Sequence, residues 1–317
     1  MKIEAVIITL DRSPRKNYLP STLDSLKKSG LFEHAAFTLS VHHDGLDCEN
    51  ISAAEALDSR VAVIKGGNPL LGYNLAAVRA IRYACAQSPD FVLFMEDDIK
   101  VCPDFPEFVI ATINEFGASP LMDFATYYQE IVDAYLEGNR SFEMDAVQFY
   151  GTQCYVSTCA DMQSYADFIE RNHNIKPGFA DIWFDSWLEE SGRPRFVKCA
   201  VPAAAQHIGV ESSHGHGFID GPAFQVDLEK SILSLSGYYQ VFEKNDDGLT
   251  LRNSVDNTFL KLNDSAQLIY LYCDGVRNLG QIIDELNSEL ELGRTVISSQ
   301  VRECIHSLVD AGVLSRL

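Results

Sequence analysis

The chain has 317 residues, 46% of them hydrophobic, with 18 Phe and 13 Tyr, which is material for a large domain plus a small one and excludes a disordered chain. A formal net charge of −20 repels phosphate backbones and anionic lipid surfaces, so it excludes nucleic acid and membrane partners and favours a bound divalent cation. The eight cysteines (Cys48, Cys85, Cys102, Cys154, Cys159, Cys199, Cys273 and Cys304) contain no C-x-x-C pair, and the apolar run Ala5 to Leu10 is too short for a signal-peptide core; together they predict reduced thiols in a cytoplasmic chain.

Ile3 to Leu10 is a continuous β-branched run, the pattern of a strand buried on both faces of a parallel sheet. Leu19, Leu23 and Leu26 share one helical face, and Gly30 can stop that helix. Strands are predicted at Ala36 to Val41 and Val61 to Lys65, followed by a helix from Asn74 to Ala86 and a fourth strand at Phe91 to Met95. A further helix follows Pro103, with Phe105, Phe108, Val109, Thr112, Ile113 and Phe116 in register. Strands alternating with helices predict a doubly wound α/β sheet. From Phe142 to Thr158 the pattern is β-like, helices follow at Asp161 to Asn172 and Ile182 to Ser191, and Phe196 to Phe224 reads as irregular. A domain boundary is expected near Asp220 to Ser236, giving residues 1–225, a linker at 226–236 and a small domain at 237–317. That last part reads as three short strands, Tyr238 to Glu243, Leu249 to Arg252 and Thr258 to Leu262, and then three helices. Asp264 is the expected N-cap of the first helix; Leu279, Ile282, Ile283 and Leu286 stripe the second, and Val301, Ile305, Leu308 and Val309 the third.

The strongest chemical signal is Glu96-Asp97-Asp98, directly after an apolar strand. In an open α/β sheet ligands bind beyond the carboxyl ends of strands. Crowded carboxylates there repel one another, and Mg²⁺ or Mn²⁺ relieves the repulsion while holding a diphosphate. Thr9, Asp11 and Arg12 follow the first strand and Asp44 the second, on the same expected rim. Asp44 can accept from a base N–H or a ribose hydroxyl, and Arg12 can meet a phosphate; Asp44-Gly45 is also a standard turn pair.

Asp44, the helix led by Asn74-Leu75-Ala76 and the acidic triplet resemble the GT-A glycosyltransferase fold, with the triplet where that fold keeps its D-x-D element. More narrowly, Phe94-Met95-Glu96-Asp97-Asp98-Ile99 and Gln206-His207-Ile208-Gly209-Val210-Glu211-Ser212-Ser213 resemble the N-acetylglucosaminyltransferase IV family over roughly the first two hundred residues. The resemblance implies a nucleotide-sugar donor, a UDP-sugar in the first instance, reached by Glu96 and Asp97; Thr9, Asp11, Arg12, Asp44 and Asn74 complete the candidate donor contacts. It implies a metal held by Asp98 and His207. His214 and His216 would belong to a lid with Gly215 and Gly217. Inverting transfer needs a base for the acceptor proton, and GT-A enzymes commonly place it at the start of a late helix. Asp181 fits, with Asp185 one turn on, although Asp181 reads equally as a helix N-cap; Trp183 and Trp187 read as core.

Leu262-Asn263-Asp264-Ser265-Ala266, Asp274-Gly275-Val276-Arg277-Asn278-Leu279, Ile282-Ile283 and Leu308 to Leu314 resemble the PqqD-like peptide-recognition domain, the RiPP recognition element. That resemblance implies a small winged-helix-like α+β domain that binds a precursor peptide's leader as an added strand, here along Thr258, Phe259, Leu260, Lys261 and Leu262. A DNA-binding wing would need a basic face, which this acidic chain does not offer. The whole reads as a metal-dependent glycosyltransferase acting on a ribosomally made peptide. Two alternatives stand beside it: a nucleotidyltransferase, disfavoured because Thr9 to Arg15 lacks glycine, and a non-catalytic peptide-binding scaffold.

Overall fold

The computed structural model describes residues 1–10, 17–45, 52, 60–67, 70–125, 128–136, 139–149, 151, 153–174, 183–209, 233–235, 239–245, 248–274, 277–291, 297, 300–301, 304–305, 307–308, 311 and 313–316. The chain divides into two compact units, Met1–Ile131 with Arg140–Phe224, and Val132–Asn139 with Gln225–Leu317.

In the first unit, β1 (Ile3–Leu10) is flanked by β2 (Phe37–Asp44) and β4 (Phe91–Glu96), both parallel to it, and β3 (Ala62–Lys65) lies beyond β2. A strand paired on both edges and covered on both faces must be apolar throughout, and Ile3 to Leu10 meets that demand. On the other side of β4 lie β8 (Cys154–Thr158), β6 (Met122–Asp123), β9 (Phe196–Ala200) and β7 (Ser141–Asp145), giving the order β3-β2-β1-β4-β8-β6-β9-β7. The sheet is mixed, because β8 runs antiparallel to β4 and β6, and β7 antiparallel to β9. The doubly wound expectation therefore holds for the first four strands and gives way to mixed pairing after them.

The helices Tyr73–Ala86 and Cys159–Asn172 pack together beside the sheet. Arg82 on the first donates to Asp167 at 2.8 Å and Glu170 at 2.6 Å on the second. Helix Leu19–Lys28 buries Leu19, Thr22, Leu23 and Leu26 and lies against the short strand β5 (Ile99–Val101), which pairs antiparallel with β10 (Ala205–His207). The expectation of an irregular Phe196 to Phe224 is corrected at both β9 and β10. Lys198 interrupts the apolar pattern of β9 because its ammonium reaches out to the Phe116 carbonyl, 2.6 Å away.

The second unit contains the antiparallel sheet β12 (Tyr239–Asn245), β13 (Gly248–Asn253) and β14 (Phe259–Leu262), with helices Asp264–Tyr272 and Leu279–Leu290. Leu249, Leu251, Leu262, Ile269, Ile282, Ile283 and Leu286 form its core with Val301, Ile305 and Leu308. The first helix is capped by Asn263, whose side chain accepts the Ala266 N–H, and not by Asp264 as expected. Asn278 and Gln281 close a capping box on the second. Leu233–Leu235, assigned to the linker from sequence, is instead a strand, β11, paired antiparallel with β15 (Leu314–Arg316). Among the described residues, no helix is long and apolar enough to cross a membrane.

Candidate active site

Strand register sets the site. Leu10 lies opposite Asp44, Thr9 opposite His43, and Ile8 opposite Glu96, so the carboxyl ends of β1, β2 and β4 finish side by side. Chain order reverses between β1 and β4, which makes their ends the switch point where open α/β sheets bind ligands.

At that point Thr9 and Asp97 meet. The Thr9 hydroxyl donates to Asp97 Oδ2 at 2.5 Å, and both residues are buried. Thr22, reaching up from its helix, uses its hydroxyl on the Asp97 carbonyl at 2.7 Å and the Ile99 carbonyl at 2.8 Å, while accepting the Ile99 N–H at 3.2 Å. The Asp97-Asp98 turn is thus fixed from below on both sides. Asp97, expected as a donor-sugar contact, is 2% exposed and points inward.

Glu96 and Asp44 are tied to the opposite flank. Both Asp44 oxygens accept backbone N–H groups, Oδ1 from Leu71 at 3.0 Å and Oδ2 from Gly72 at 2.8 Å. Gly72 has φ of 77° and stands at the N-cap of helix Tyr73–Ala86, a backbone state that favours glycine. The first helical residue, Tyr73, donates its hydroxyl to Glu96 Oε1 at 2.8 Å, and Asn74 follows it half-buried. On the sheet side of Glu96, burial and then the Glu96 charge push the Tyr155 hydroxyl well above its ordinary range, so Tyr155 stays neutral. The β2 end is also stapled: the His43 carbonyl accepts from Gly66 N at 2.8 Å and from Arg79 at 2.7 Å. Just below, burial and then the Arg79 charge push the His42 imidazole down to about 4.

Asp98 faces the other way, toward β10. The β5–β10 register places His207 opposite Ile99, and Ile208 N donates to the Asp98 carbonyl at 2.8 Å. Asp98 Oδ2 and His207 Nε2 therefore come within 3.3 Å, with side-chain exposures of 5% and 12%. His207 Nδ1 is buried without a hydrogen-bond partner among the described residues. Gly209 closes against the pair so tightly that a Cβ there would lie 2.6 Å from Asp98 Oδ2 and 2.7 Å from His207 Nε2.

The pair passes a test for a shared divalent cation. Two donors about 2.1 Å from one ion at right angles stand about 3.0 Å apart, close to the observed 3.3 Å. Carboxylate oxygen with imidazole nitrogen is a donor set that suits Mn²⁺. Among the described residues, no group of three or more His, Cys, Asp or Glu side chains could hold a metal. Two protein ligands suffice only where substrate phosphates and water complete the shell, which is the usual Mg²⁺-type arrangement at phosphate sites.

Asp11, Arg12 and Asp181 lie outside the described residues, as do His214, Gly215, His216 and Gly217. Asp185 is engaged by Arg195, whose Nε and Nη2 donate to its two oxygens at 2.7 and 2.6 Å, so it braces the loop into β9. Trp183 and Trp187 are core, as expected; the Trp187 indole N–H donates to Ser164 Oγ at 3.1 Å. In the second unit, β14 pairs with β13 along one edge and is the end strand of its sheet. Leu260 and Leu262 turn toward the core, Phe259 is 57% exposed, and Lys261 is exposed. Thr258 precedes the strand and binds Asp256 through its N–H and hydroxyl. Thr22, Tyr73 and Gly209 were not singled out from sequence. Gly209 sits within the quoted His207 block, whereas a mid-helix threonine or a first-turn tyrosine carries no spacing signal.

Comparison with known proteins assigns part of this architecture. Residues 248–314 match the PqqD family, described as coenzyme PQQ synthesis protein D, so the fold is mixed α/β with a PqqD domain at its C-terminal end. No curated protein matches the chain. Among solved structures, S. aureus TarS 1–349 is 13% identical over 65% of this chain and 60% of that one, with a TM-score of 0.45. The chain thus spans 60% of that fragment's length. CMP:2-keto-3-deoxy-manno-octonic acid synthetase complexed with CTP is 12% identical over 63% of this chain and 89% of that one, TM-score 0.41. TbiB1 in complex with the TbiA(beta) leader peptide is 17% identical over 26% of this chain and 94% of that one, TM-score 0.24.

Proposed function

We propose that the protein is a metal-dependent, inverting glycosyltransferase of the GT-A type, resembling the N-acetylglucosaminyltransferase IV family. In this reading it moves a sugar from a nucleotide-sugar, a UDP-sugar first, to a hydroxyl or thiol of a ribosomally made peptide. The observation that carries the reading is the Asp98–His207 pair, 3.3 Å apart beside the switch point of the sheet. A carboxylate and an imidazole sharing one small space under a ligand crevice match what a diphosphate-bound cation needs.

Asp98 and His207 would hold Mn²⁺ or Mg²⁺, which when bound neutralises charge on the departing nucleoside diphosphate. Thr9 and Thr22 fix Asp97 and so the turn that aims Asp98. Tyr73 holds Glu96 toward the donor's ribose or sugar, and Asp44 shapes the Leu71-Gly72 loop at the nucleotide side. Asp11 and Arg12 are assigned to the donor from their place after the first strand, and Asn74 on the fold resemblance. Asp181 takes the acceptor proton as the acceptor oxygen or sulfur attacks the anomeric carbon and the bond to the diphosphate breaks. With Asp185 committed to Arg195, Asp181 is the base in this scheme.

The PqqD domain supports the acceptor assignment. A leader laid along β14 as an added strand uses the edge of that strand that no described strand pairs with for main-chain hydrogen bonds. Tethering the acceptor in this way raises its effective concentration at the transferase site. The experiment incubates the full chain with Mn²⁺, labelled UDP-sugars and candidate precursor peptides, each with and without its leader. Label entering the leader-bearing peptide far faster than the leaderless one supports the scheme; equal rates for both would remove the PqqD domain from it.

A further inference from the structure

We infer that Gly209 is a positioning residue for the cation site, present because any side chain there would push Asp98 and His207 apart; this rests on reading that pair as a metal site. The backbone of Gly209 lies outside the left-handed region, so its conformation alone does not call for glycine. What calls for it is space. The three nearest atoms to a Cβ built on Gly209 are Asp98 Oδ2 at 2.6 Å, His207 Nε2 at 2.7 Å and His207 Cε1 at 3.0 Å. All three belong to the two side chains assigned to the metal, and two of them are the donor atoms themselves.

Gly209 is held on its N-terminal side. Ile208, its neighbour, donates its N–H to the Asp98 carbonyl at 2.8 Å, and His207 is held in the β5–β10 ladder opposite Ile99. The backbone is therefore held as far as Ile208, while the atoms in conflict are ends of side chains that can rotate. A methyl group at 209 is accommodated by turning the Asp98 carboxylate and the His207 ring off their present positions. Folding survives this movement, and the spacing of the two donors does not. A glycine needed only for packing would show the opposite: reduced stability, with unchanged metal affinity in the folded fraction.

The test titrates Mn²⁺ into the full chain in the presence of saturating UDP, whose phosphates complete the shell, and follows bound metal by water-proton relaxation, for wild type, Gly209→Ala, His207→Ala and the double variant. Metal-free thermal unfolding is recorded for each. Gly209→Ala is expected to raise the Mn²⁺ Kd about 10-fold to 100-fold, the range for losing a group that orients a metal ligand, with the metal-free midpoint unchanged. In the His207→Ala background the further effect of Gly209→Ala should shrink, because two of the three close contacts have been removed. An unchanged Kd in the folded fraction of Gly209→Ala overturns the inference, and so does strict additivity in the double variant. Absence of Mn²⁺ uptake by the wild type is a separate result, which removes the metal reading itself and the inference with it.

Discussion

His42 gives a pH dependence whose size follows from its surroundings. It is fully buried on β2, its Nε2 is 3.1 Å from Ser40 Oγ, and its ring meets Tyr83 edge-on at 5.0 Å. Burial first, and the nearby Arg79 charge second, lower its pKa from 6.5 to about 4. A histidine depressed in the fold takes its proton first in the unfolded chain. Stability is therefore intact above about 6.5, is lost as pH falls from there to about 4, and changes no further from this group below that. At 1.36 kcal/mol per pKa unit the loss between pH 7.5 and 4.5 is about 2.5 kcal/mol. Urea unfolding followed by ellipticity at both pH values, for wild type and His42→Gln, isolates the contribution, since other titrations cancel in the difference. Wild type should lose about 2.5 kcal/mol more than the variant over that interval. The same loss in both would mean that His42 is not held neutral by the fold, and the reasoning would fail.

Other consequences are smaller in scope. Thr9→Val keeps the shape of the side chain but takes a hydrogen bond from the buried Asp97 carboxylate, and should cost about 1.5–3 kcal/mol in urea unfolding; a change near zero would show the contact to be idle. Asn278→Ala breaks the capping box on Leu279–Leu290 and should lower stability by about 1 kcal/mol, read from the calorimetric transition of the full chain. Tyr73→Phe removes the hydroxyl that holds Glu96, so it should raise the KM for the nucleotide-sugar while leaving the unfolding midpoint nearly unchanged; an unaltered KM would separate Glu96 from donor binding.

Legibility in the sequence followed sequence distance and burial. Ile3 to Leu10 was readable because a central parallel strand is apolar on both faces, and Leu279, Ile282, Ile283 and Leu286 because one helix face packs on one core. The β9 strand was hidden by Lys198, which snorkels to a carbonyl, and β11 because three residues are too few to show a period. Its partner, Leu314–Arg316, lies near the far end of the chain. At the site, the acidic triplet announced itself by following an apolar strand, yet its three members face three different partners. Glu96 meets Tyr73, Asp97 meets Thr9, and Asp98 meets His207. That divergence comes from the turn between β4 and β5, which Thr22 fixes through backbone groups, a contact with no sequence pattern. Asp44 stands at the rim as read, while both its oxygens serve the loop that launches the next helix.

Binding of nucleotide-sugars to the full chain, measured calorimetrically with and without Mn²⁺ and repeated on Asp98→Ala, probes the cation seat where everything else converges. The account predicts that one UDP-sugar binds in the presence of Mn²⁺, that binding collapses when the metal is withdrawn, and that Asp98→Ala behaves with metal as wild type does without it. Equal affinity in all three conditions, or no nucleotide-sugar bound under any of them, would contradict it.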